Sequence, residues 1–188
     1  MPRPVTVAIT GGIGAGKSEA LKAFARHGAA VASSDEIVHR LLREDEEVQR
    51  ELAKRFGADV IGRDGADRAR IAQIVFADPP QLAWLEGLLH PRVVREYLAW
   101  RELQTTPVTV SEIPLLYETG GEARFDAVVV ITAPPEVRAE RARVDPAERE
   151  VRLLPEDEKV RRADFVYVND GSLEELDAFV ADVLARVS

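Results

Sequence analysis

The chain has 188 residues, with 33 acidic and 25 basic side chains, so its formal net charge is −8. Domains that neutralise a phosphate backbone usually carry net positive charge, which argues against a nucleic-acid partner. The absence of cysteine excludes a disulfide framework, a thiolate metal site and a cysteine nucleophile. No apolar run approaches the roughly 18 residues that a membrane span needs, so we expect a cytoplasmic protein with no membrane partner.

Short runs rich in β-branched residues alternate with segments of helical spacing along the chain. The runs cover residues 5–10, 29–33, 108–113, 127–133 and 165–168. The first and fourth of them are almost continuously apolar, which is typical of strands buried on both faces of a parallel sheet. This alternation predicts a doubly wound α/β fold with five parallel strands.

Helix boundaries are marked by their end signals. Gly28 follows a helix predicted over residues 17–26 and is placed to end it in the left-handed conformation. The last helix is predicted to begin with a capping box at Ser172 and Glu175. Residues 36–104 contain only helical patterns, and Pro91 is predicted to start a new helix there, since proline suits a first turn. We therefore expect a helical insertion, over about residues 36–104, in a core formed by 1–35 and 105–188.

The strongest motif follows the first predicted strand directly and opens the first helix. Residues 11–18 read Gly-Gly-Ile-Gly-Ala-Gly-Lys-Ser and satisfy the phosphate-binding pattern G-x-x-x-x-G-K-[ST]. Glycines let backbone N–H groups turn inward around a polyphosphate, and the helix N-terminus adds its positive dipole end. Lys17 is predicted to reach the β- and γ-phosphates of ATP, and the Ser18 hydroxyl to bind Mg²⁺. The predicted ATP-binding residues are Gly12, Ile13, Gly14, Ala15, Gly16, Lys17, Ser18 and Glu19.

A phosphate-binding loop alone does not separate a kinase from a nucleotide-dependent switch. A guanine-nucleotide switch needs a strand that ends in D-x-x-G and a later N-K-x-D motif. Residues 59–62 match the first by their letters but follow a helical segment, and the second motif is absent from the sequence. The sequence therefore favours a kinase over a switch, and a small-metabolite or nucleoside monophosphate kinase remains a possible class.

Asp35 stands just past the second predicted strand, on the sheet edge that carries the phosphate-binding loop. A carboxylate there can accept the proton of an acceptor hydroxyl during phosphoryl transfer. Asp35 is equally well placed to cap a helix that starts near Glu36. The residues alone leave both interpretations open.

Further segments, taken in order with the phosphate-binding loop, resemble dephospho-CoA kinases. They are Ser-Ser-Asp-Glu-Ile-Val-His at 33–39, Leu-Leu-His-Pro at 88–91, Ile-Pro-Leu-Leu-Tyr-Glu at 113–118 and the stretch 164–172. The resemblance runs over nearly the whole chain. It implies an ATP-dependent kinase that phosphorylates the ribose 3′-hydroxyl of dephospho-CoA, the last step of coenzyme A synthesis.

The resemblance also implies roles for individual positions. Asp35 matches the catalytic aspartate of the family, and His90 and Pro91 match a His-Pro turn in the insertion that binds CoA. A lone histidine at a helix break is otherwise often a structural hydrogen-bonding group. Leu116 and Glu118 match the substrate-binding segment, where Glu118 organises the metal or the acceptor, or else pairs with a nearby arginine.

The stretch from 138 to 162 resembles a lid and its closing helix, with the lid at about 141–163. Its arginines either close over the phosphates or form a solvated, salt-bridged surface. Arg141 is the candidate catalytic arginine that the resemblance implies. Asn169 ends the last predicted strand and lines the adenine site, or belongs to an ordinary Asn-Asp-Gly turn.

We therefore predict a P-loop NTPase-type fold: a parallel five-stranded sheet flanked by helices, a helical substrate-binding insertion and a short lid. The expected partners are the small molecules ATP and dephospho-CoA, with Mg²⁺ as the cofactor. The protein is expected to be a monomer or a small homo-oligomer.

Overall fold

The computed structural model describes residues 3–141 and 154–188. Residues 142–153, which make up most of the predicted lid, lie outside this description. The chain divides into two compact units, Met1–Ser33 with Gln104–Ser188, and Ser34–Leu103. The division lies two residues before the predicted start of the insertion, so Asp35 belongs to the second unit.

The described residues of the first unit form five strands and four α-helices. Its strands are β1 (Val5–Gly11), β2 (Ala30–Ser33), β5 (Val108–Glu112), β6 (Ala127–Thr132) and β7 (Phe165–Val168). Its helices are α1 (Lys17–Arg26), α6 (Pro135–Arg141), α7 (Glu156–Arg162) and α8 (Leu173–Val187). The second unit contains α2 (Ser34–Glu44), α3 (Glu46–Phe56), β3 (Ile61–Gly62), β4 (Gly65–Ala66), α4 (Arg68–Ala77) and α5 (Pro79–Glu102).

The five strands of the first unit form one parallel sheet in the order β2-β5-β1-β6-β7. The predicted parallel five-stranded sheet is therefore confirmed. The three inner strands are almost entirely buried, whereas the edge strands β2 and β7 are only partly buried. This difference explains why the longest apolar runs in the sequence fall on β1 and β6.

The two faces of this sheet carry separate hydrophobic clusters. On one face, side chains of β1 and β6 pack with Phe24 of α1 and with Leu176 and Val180 of α8. On the other face, Ala8 and Val130 pack with residues of the segment that follows β5 and with residues around α7. Helices therefore cover the sheet on both faces, which leaves the carboxyl ends of the strands as the open edge.

Both predicted helix-end signals are present in the structure. Gly28 has a φ of +89°, and the backbone N–H groups of Gly28 and Ala29 donate to the carbonyls of Ala25 and Phe24. Ser172 and Glu175 form the complete capping box at the start of α8. These local signals are confirmed because a few neighbouring residues determine them.

The second unit differs from its sequence prediction in two respects. Residues 61–62 and 65–66 form a short antiparallel hairpin in a region that was expected to be entirely helical. Each strand has only two residues, so no alternating pattern could reveal it. The helices α3 and α4 agree with the helical pattern predicted for residues 36–104.

The second difference is that Pro91 does not start a helix. It lies inside α5, which runs without a break over 24 residues, so the predicted His-Pro turn is wrong. A proline inside a helix lacks an N–H and removes one backbone hydrogen bond from the preceding turn. The carbonyl that loses its intrahelical donor is that of Gly87, four residues before the proline. The Arg92 guanidinium donates to the neighbouring carbonyl of Leu88 at 2.9 Å and pairs with Glu47 at 3.1 Å.

Asp126 precedes β6 and holds the start of the sheet together. Its carboxylate accepts two hydrogen bonds from Arg3, at 2.6 and 2.9 Å, and others from the backbone and hydroxyl of Thr6. The hydrogen bonds from Arg3, followed by those from Thr6, lower the pKa of Asp126 from 3.8 to about 2. The ionised carboxylate is therefore a stabilising feature of the folded chain.

We expect Asp126→Asn to lower the free energy of unfolding at neutral pH by about 1 kcal/mol, allowing for solvent screening of a side chain that is 34% exposed. Because the folded-state pKa is depressed, this contribution is complete above pH 4 and disappears as the pH falls from about 4 to 2. Urea unfolding at pH 5.5 and pH 3 measures it. Asp64→Asn, in the exposed turn of the hairpin, is the control, and an equal loss in both variants would contradict the assignment.

No helix among the described residues is both long and apolar enough to cross a membrane.

Candidate active site

The phosphate-binding loop connects the buried strand β1 to the first turn of α1. Gly14 and Gly16 have φ values of +75° and +95°, which residues with a side chain rarely adopt. A Cβ at Gly14 would lie 2.6 Å from the carbonyl oxygen of Arg138, and a Cβ at Gly16 would lie 2.1 Å from the Asn169 Nδ2. Glycine is thus required at both positions by backbone conformation and by space.

Lys17 begins α1 and turns back over this loop. Its Nζ donates a hydrogen bond to the carbonyl oxygen of Gly12 at 2.8 Å. Gly16 precedes the helix, and the helix N-terminus therefore faces the same loop. The ammonium group and the positive end of the helix dipole together provide a site for a polyphosphate.

Ser18 lies beside a carboxylate that the sequence analysis missed. Its hydroxyl donates to both oxygens of Glu112, at 3.3 and 3.4 Å. Glu112 is the last residue of β5 and is only 7% exposed, and its register neighbours are Ile9 of β1 and Ser33 of β2. The available signal was a carboxylate that ends a buried strand next to the strand leading into the phosphate-binding loop.

This pair suits Mg²⁺ chemically. A hydroxyl and a carboxylate are the hard oxygen ligands that Mg²⁺ prefers, and the ion usually takes its remaining ligands from water and substrate phosphates. Among the described residues, no group of three or more His, Asp or Glu side chains is arranged to hold a metal.

Asn169 and Arg141 lie next to the loop at Ala15 and Gly16. Asn169 follows β7 and is 6% exposed, and its Nδ2 donates to the carbonyl oxygen of Ala15 at 2.8 Å. The backbone N–H of Asn169 donates to Thr132 at the end of β6. Arg141 donates to the carbonyl oxygen of Asn169 at 3.2 Å. The arginine implied by the resemblance is thus next to the phosphate-binding loop.

Glu118, in the segment after β5, forms a buried ion pair. Its Oε1 lies 2.8 Å from Nζ of Lys159 and accepts a hydrogen bond of 2.8 Å from the backbone N–H of Leu154. The side chain of Lys159 is 2% exposed and that of Glu118 is 15% exposed. Among the residues that the structure describes, the cationic partner of Glu118 is therefore Lys159 of α7.

Comparisons with known proteins relate the whole chain to one family. The family model described as dephospho-CoA kinase matches residues 5–175. A dephospho-CoA kinase from Anaeromyxobacter dehalogenans is 40% identical, with 94% of this chain and 91% of that protein covered. The crystal structure of TT1252 from Thermus thermophilus superposes with a TM-score of 0.83 at 34% identity, with 100% of both chains covered.

The chain belongs to the dephospho-CoA kinase family. It is an ATP-dependent kinase with the P-loop fold predicted above. At the level of the fold alone, it is also similar to the dephospho-CoA kinase from Campylobacter jejuni, with a TM-score of 0.66 at 24% identity and 97% of both chains covered.

The substrate-binding residues predicted for this dephospho-CoA kinase family member lie in different environments. Leu116 has no exposed surface and packs against Ala8 and Val130, so it belongs to the hydrophobic core. The position of Leu116 therefore does not support the prediction that this side chain contacts the substrate directly. His90 and Pro91 are exposed in the middle of α5.

Asp35 is exposed in the first turn of α2 and follows the last residue of β2 by two positions. The alternative interpretation was that it caps a helix starting near Glu36. Because α2 already begins at Ser34, Asp35 lies inside the helix, where a residue no longer acts as its N-cap. The capping interpretation is therefore wrong.

The arginines of the predicted lid also divide into different groups. Arg161 and Arg162 form ion pairs with Asp157 and Glu122, which fits a solvated, salt-bridged surface. Arg138 lies 3.5 Å from Glu156, a residue that also accepts a hydrogen bond from Thr132. Arg143, Arg149 and Arg152 of the predicted lid lie outside the described residues.

Glu19, the last of the predicted ATP-binding residues in the loop and first helical turn, pairs with Lys22 on the surface of α1 at 2.7 Å.

Proposed function

We propose that this kinase transfers the γ-phosphoryl group of ATP to the ribose 3′-hydroxyl of dephospho-CoA, giving coenzyme A and ADP. The observation that best supports the proposal is the juxtaposition of Lys17, Ser18 and Glu112 around the phosphate-binding loop. The family membership supports the choice of acceptor.

In the proposed reaction, the ribose 3′-oxygen forms a bond to the γ-phosphorus, and the carboxylate of Asp35 accepts the proton that this oxygen loses. The bond from that phosphorus to the β–γ bridging oxygen breaks, and the electron pair leaves with ADP. Lys17 and the inward-facing N–H groups of the loop stabilise the charge on the β- and γ-phosphates. Arg141, beside the loop, contributes a further positive charge.

The ATP-binding surface in this proposal is the loop with its first helical turn, residues 12–19. Glu118 organises the acceptor through the segment that follows β5, and His90 and Pro91 contribute to the binding of dephospho-CoA. We also propose that the protein works in the cytoplasm, as a monomer or a small homo-oligomer. Its net charge of −8 supports the absence of a nucleic-acid partner.

We further propose that Ser18 and Glu112 hold Mg²⁺. The bound ion would neutralise charge on the β- and γ-phosphates. Glu112 would orient the Ser18 hydroxyl and the metal-bound water, since its carboxylate lies within 3.4 Å of the serine oxygen and is shielded from bulk solvent.

Glu112→Gln should therefore raise the Mg²⁺ concentration needed for half-maximal activity by about tenfold or more. The amide keeps the volume of the side chain and removes its charge. The measurement is kcat against free Mg²⁺ at saturating ATP and dephospho-CoA. Glu174→Gln, an exposed change in the first turn of α8, is the control. Superimposable Mg²⁺ curves for wild type and Glu112→Gln would remove Glu112 from the metal site.

The function itself is tested by the product. ATP and dephospho-CoA are incubated with the purified chain, and mass spectrometry and ³¹P NMR assign the position of the new phosphate. We expect the product to be coenzyme A, with the new phosphate on the ribose 3′-oxygen. Lys17→Met is the control and should show no turnover. In a panel with shikimate, gluconate and nucleoside monophosphates, ADP release that prefers another acceptor would favour a different metabolite kinase. Tight nucleotide binding without any acceptor-stimulated turnover would favour a regulatory switch.

A further inference from the structure

Asn169 connects three parts of the site that lie far apart in the sequence. Its side chain contacts the phosphate-binding loop at Ala15, its backbone N–H contacts the end of β6 at Thr132, and its carbonyl oxygen contacts Arg141. We infer that Asn169 is a positioning residue that fixes the shape of the phosphate-binding loop, and that it acts on the triphosphate and not on the adenine base.

The first argument is the direction of the hydrogen bond between Asn169 and the loop. Nδ2 donates to the carbonyl oxygen of Ala15 at 2.8 Å, and this contact is buried. A phosphate-binding loop works by pointing backbone N–H groups inward, and a carbonyl in the same peptide plane as such an N–H points the other way and needs another partner. Asn169 supplies that partner for the carbonyl of Ala15. The N–H of Gly16, in the same peptide plane, is thereby held in the opposite direction.

The second argument is the closeness of the contact. A Cβ on Gly16 would lie 2.1 Å from Nδ2 of Asn169, so the amide occupies the space that any side chain at Gly16 would need. The glycine required by the motif and the asparagine after β7 therefore fit each other. Asn169 is also 6% exposed, which leaves little of its surface for contact with a base.

The third argument is the rigidity of the support. The backbone N–H of Asn169 donates to the carbonyl of Thr132 at 2.7 Å, continuing the pairing of β6 with β7 by one residue. The loop is thus attached to the end of a central strand through a side chain with only two rotatable bonds. Arg141 donates to the carbonyl oxygen of the same residue at 3.2 Å, so one residue positions both the loop and the arginine.

The test separates phosphate binding from base recognition with inorganic tripolyphosphate, which has no base. Asn169→Ala and Asn169→Leu both remove the Nδ2 donor, and leucine nearly preserves the volume. We expect the Ki of tripolyphosphate and the KM values of ATP and GTP to rise together by about tenfold in both variants. The KM for dephospho-CoA should remain unchanged. Asp170→Asn, at the exposed neighbouring position, is the matched control.

A rise in the KM for ATP without any change in tripolyphosphate binding would overturn the inference, because Asn169 would then recognise the base. Unchanged values for all three ligands would overturn it as well. Thermal unfolding checks that the variants fold, and agreement between alanine and leucine excludes a cavity as the cause. The inference rests on the proposed function for the nucleotide, but tripolyphosphate binding does not require any acceptor. A wrong acceptor assignment would therefore leave this result intact and would instead change the product of the wild-type protein.

Discussion

Asp35→Asn should lower kcat by about 10²–10⁴-fold while changing ATP binding little. The amide has nearly the same shape as the carboxylate but cannot accept the proton of the 3′-hydroxyl. Single-turnover rates at saturating substrates measure the chemical step directly, and equilibrium titration with ATP measures binding. Because the proposed role of Asp35 is to accept the proton of the acceptor hydroxyl, the loss is expected in the chemical step and not in nucleotide affinity.

Glu36→Gln is the matched control for this experiment. Both carboxylates lie in the first turn of α2, where negative charge interacts favourably with the helix dipole. The two substitutions should therefore have the same small effect on stability, within about 1 kcal/mol. Equal kinetic losses in the two variants, or full activity of Asp35→Asn, would show that Asp35 contributes only to the helix.

Lys159→Met should destabilise the folded protein by about 3 kcal/mol, at the lower end of what breaking a buried ion pair costs. Methionine fills the space of the lysine stem but leaves the Glu118 carboxylate without its cation, in a side chain only 15% exposed. Among the described residues, the other contact of this carboxylate is the 2.8 Å hydrogen bond from the backbone N–H of Leu154, which does not neutralise the charge. The free energy of unfolding from urea titration at pH 7 measures the loss.

The double variant Lys159→Met with Glu118→Leu distinguishes a lost attraction from an unpaired charge. Replacing both partners by apolar residues of similar size is often nearly neutral, so we expect most of the stability to return. Arg161→Met is the control on the same helix, because its ion pair with Asp157 is exposed and should be worth less than about 1 kcal/mol. A double variant as unstable as the single variant would contradict the explanation. Because we propose that Glu118 organises the acceptor, the double variant should regain stability and still have a lower kcat than the wild type.

The parts of the fold that follow from local pattern could be predicted from the sequence. The apolar runs identify β1 and β6, and the signals at Gly28 and Ser172 mark helix ends, because each depends on a few adjacent residues. The short hairpin at residues 61–66 could not be predicted, since its strands are too short to have a period. The continuous helix through Pro91 could not be predicted either, because the local rule that places proline in a first turn takes no account of the contacts of α5 with α2 and α4.

The same distinction applies to the active site. The phosphate-binding loop is contiguous in sequence and was predictable, as its glycine positions have fixed conformational reasons. Glu112, in contrast, becomes important only when β5 pairs with β1 and brings its carboxylate to Ser18. Leu116 illustrates the opposite error, because its position within a recognisable segment does not reveal that it is completely buried. Sequence motifs thus identify segments more reliably than the direction of individual side chains.

The contact between Ser18 and Glu112 also bears on how the protein folds. The two residues are 94 positions apart, and every neighbouring pair of strands in the sheet is parallel, so closing this contact requires long stretches of chain to be ordered first. The unfolded chain consequently lacks the Ser18–Glu112 pair that we propose as the Mg²⁺ site. Nucleotide and Mg²⁺ should bind only the native state and shift the unfolding equilibrium by mass action. Ligand concentration in the cell then becomes a determinant of the lifetime of this protein as well as of its turnover.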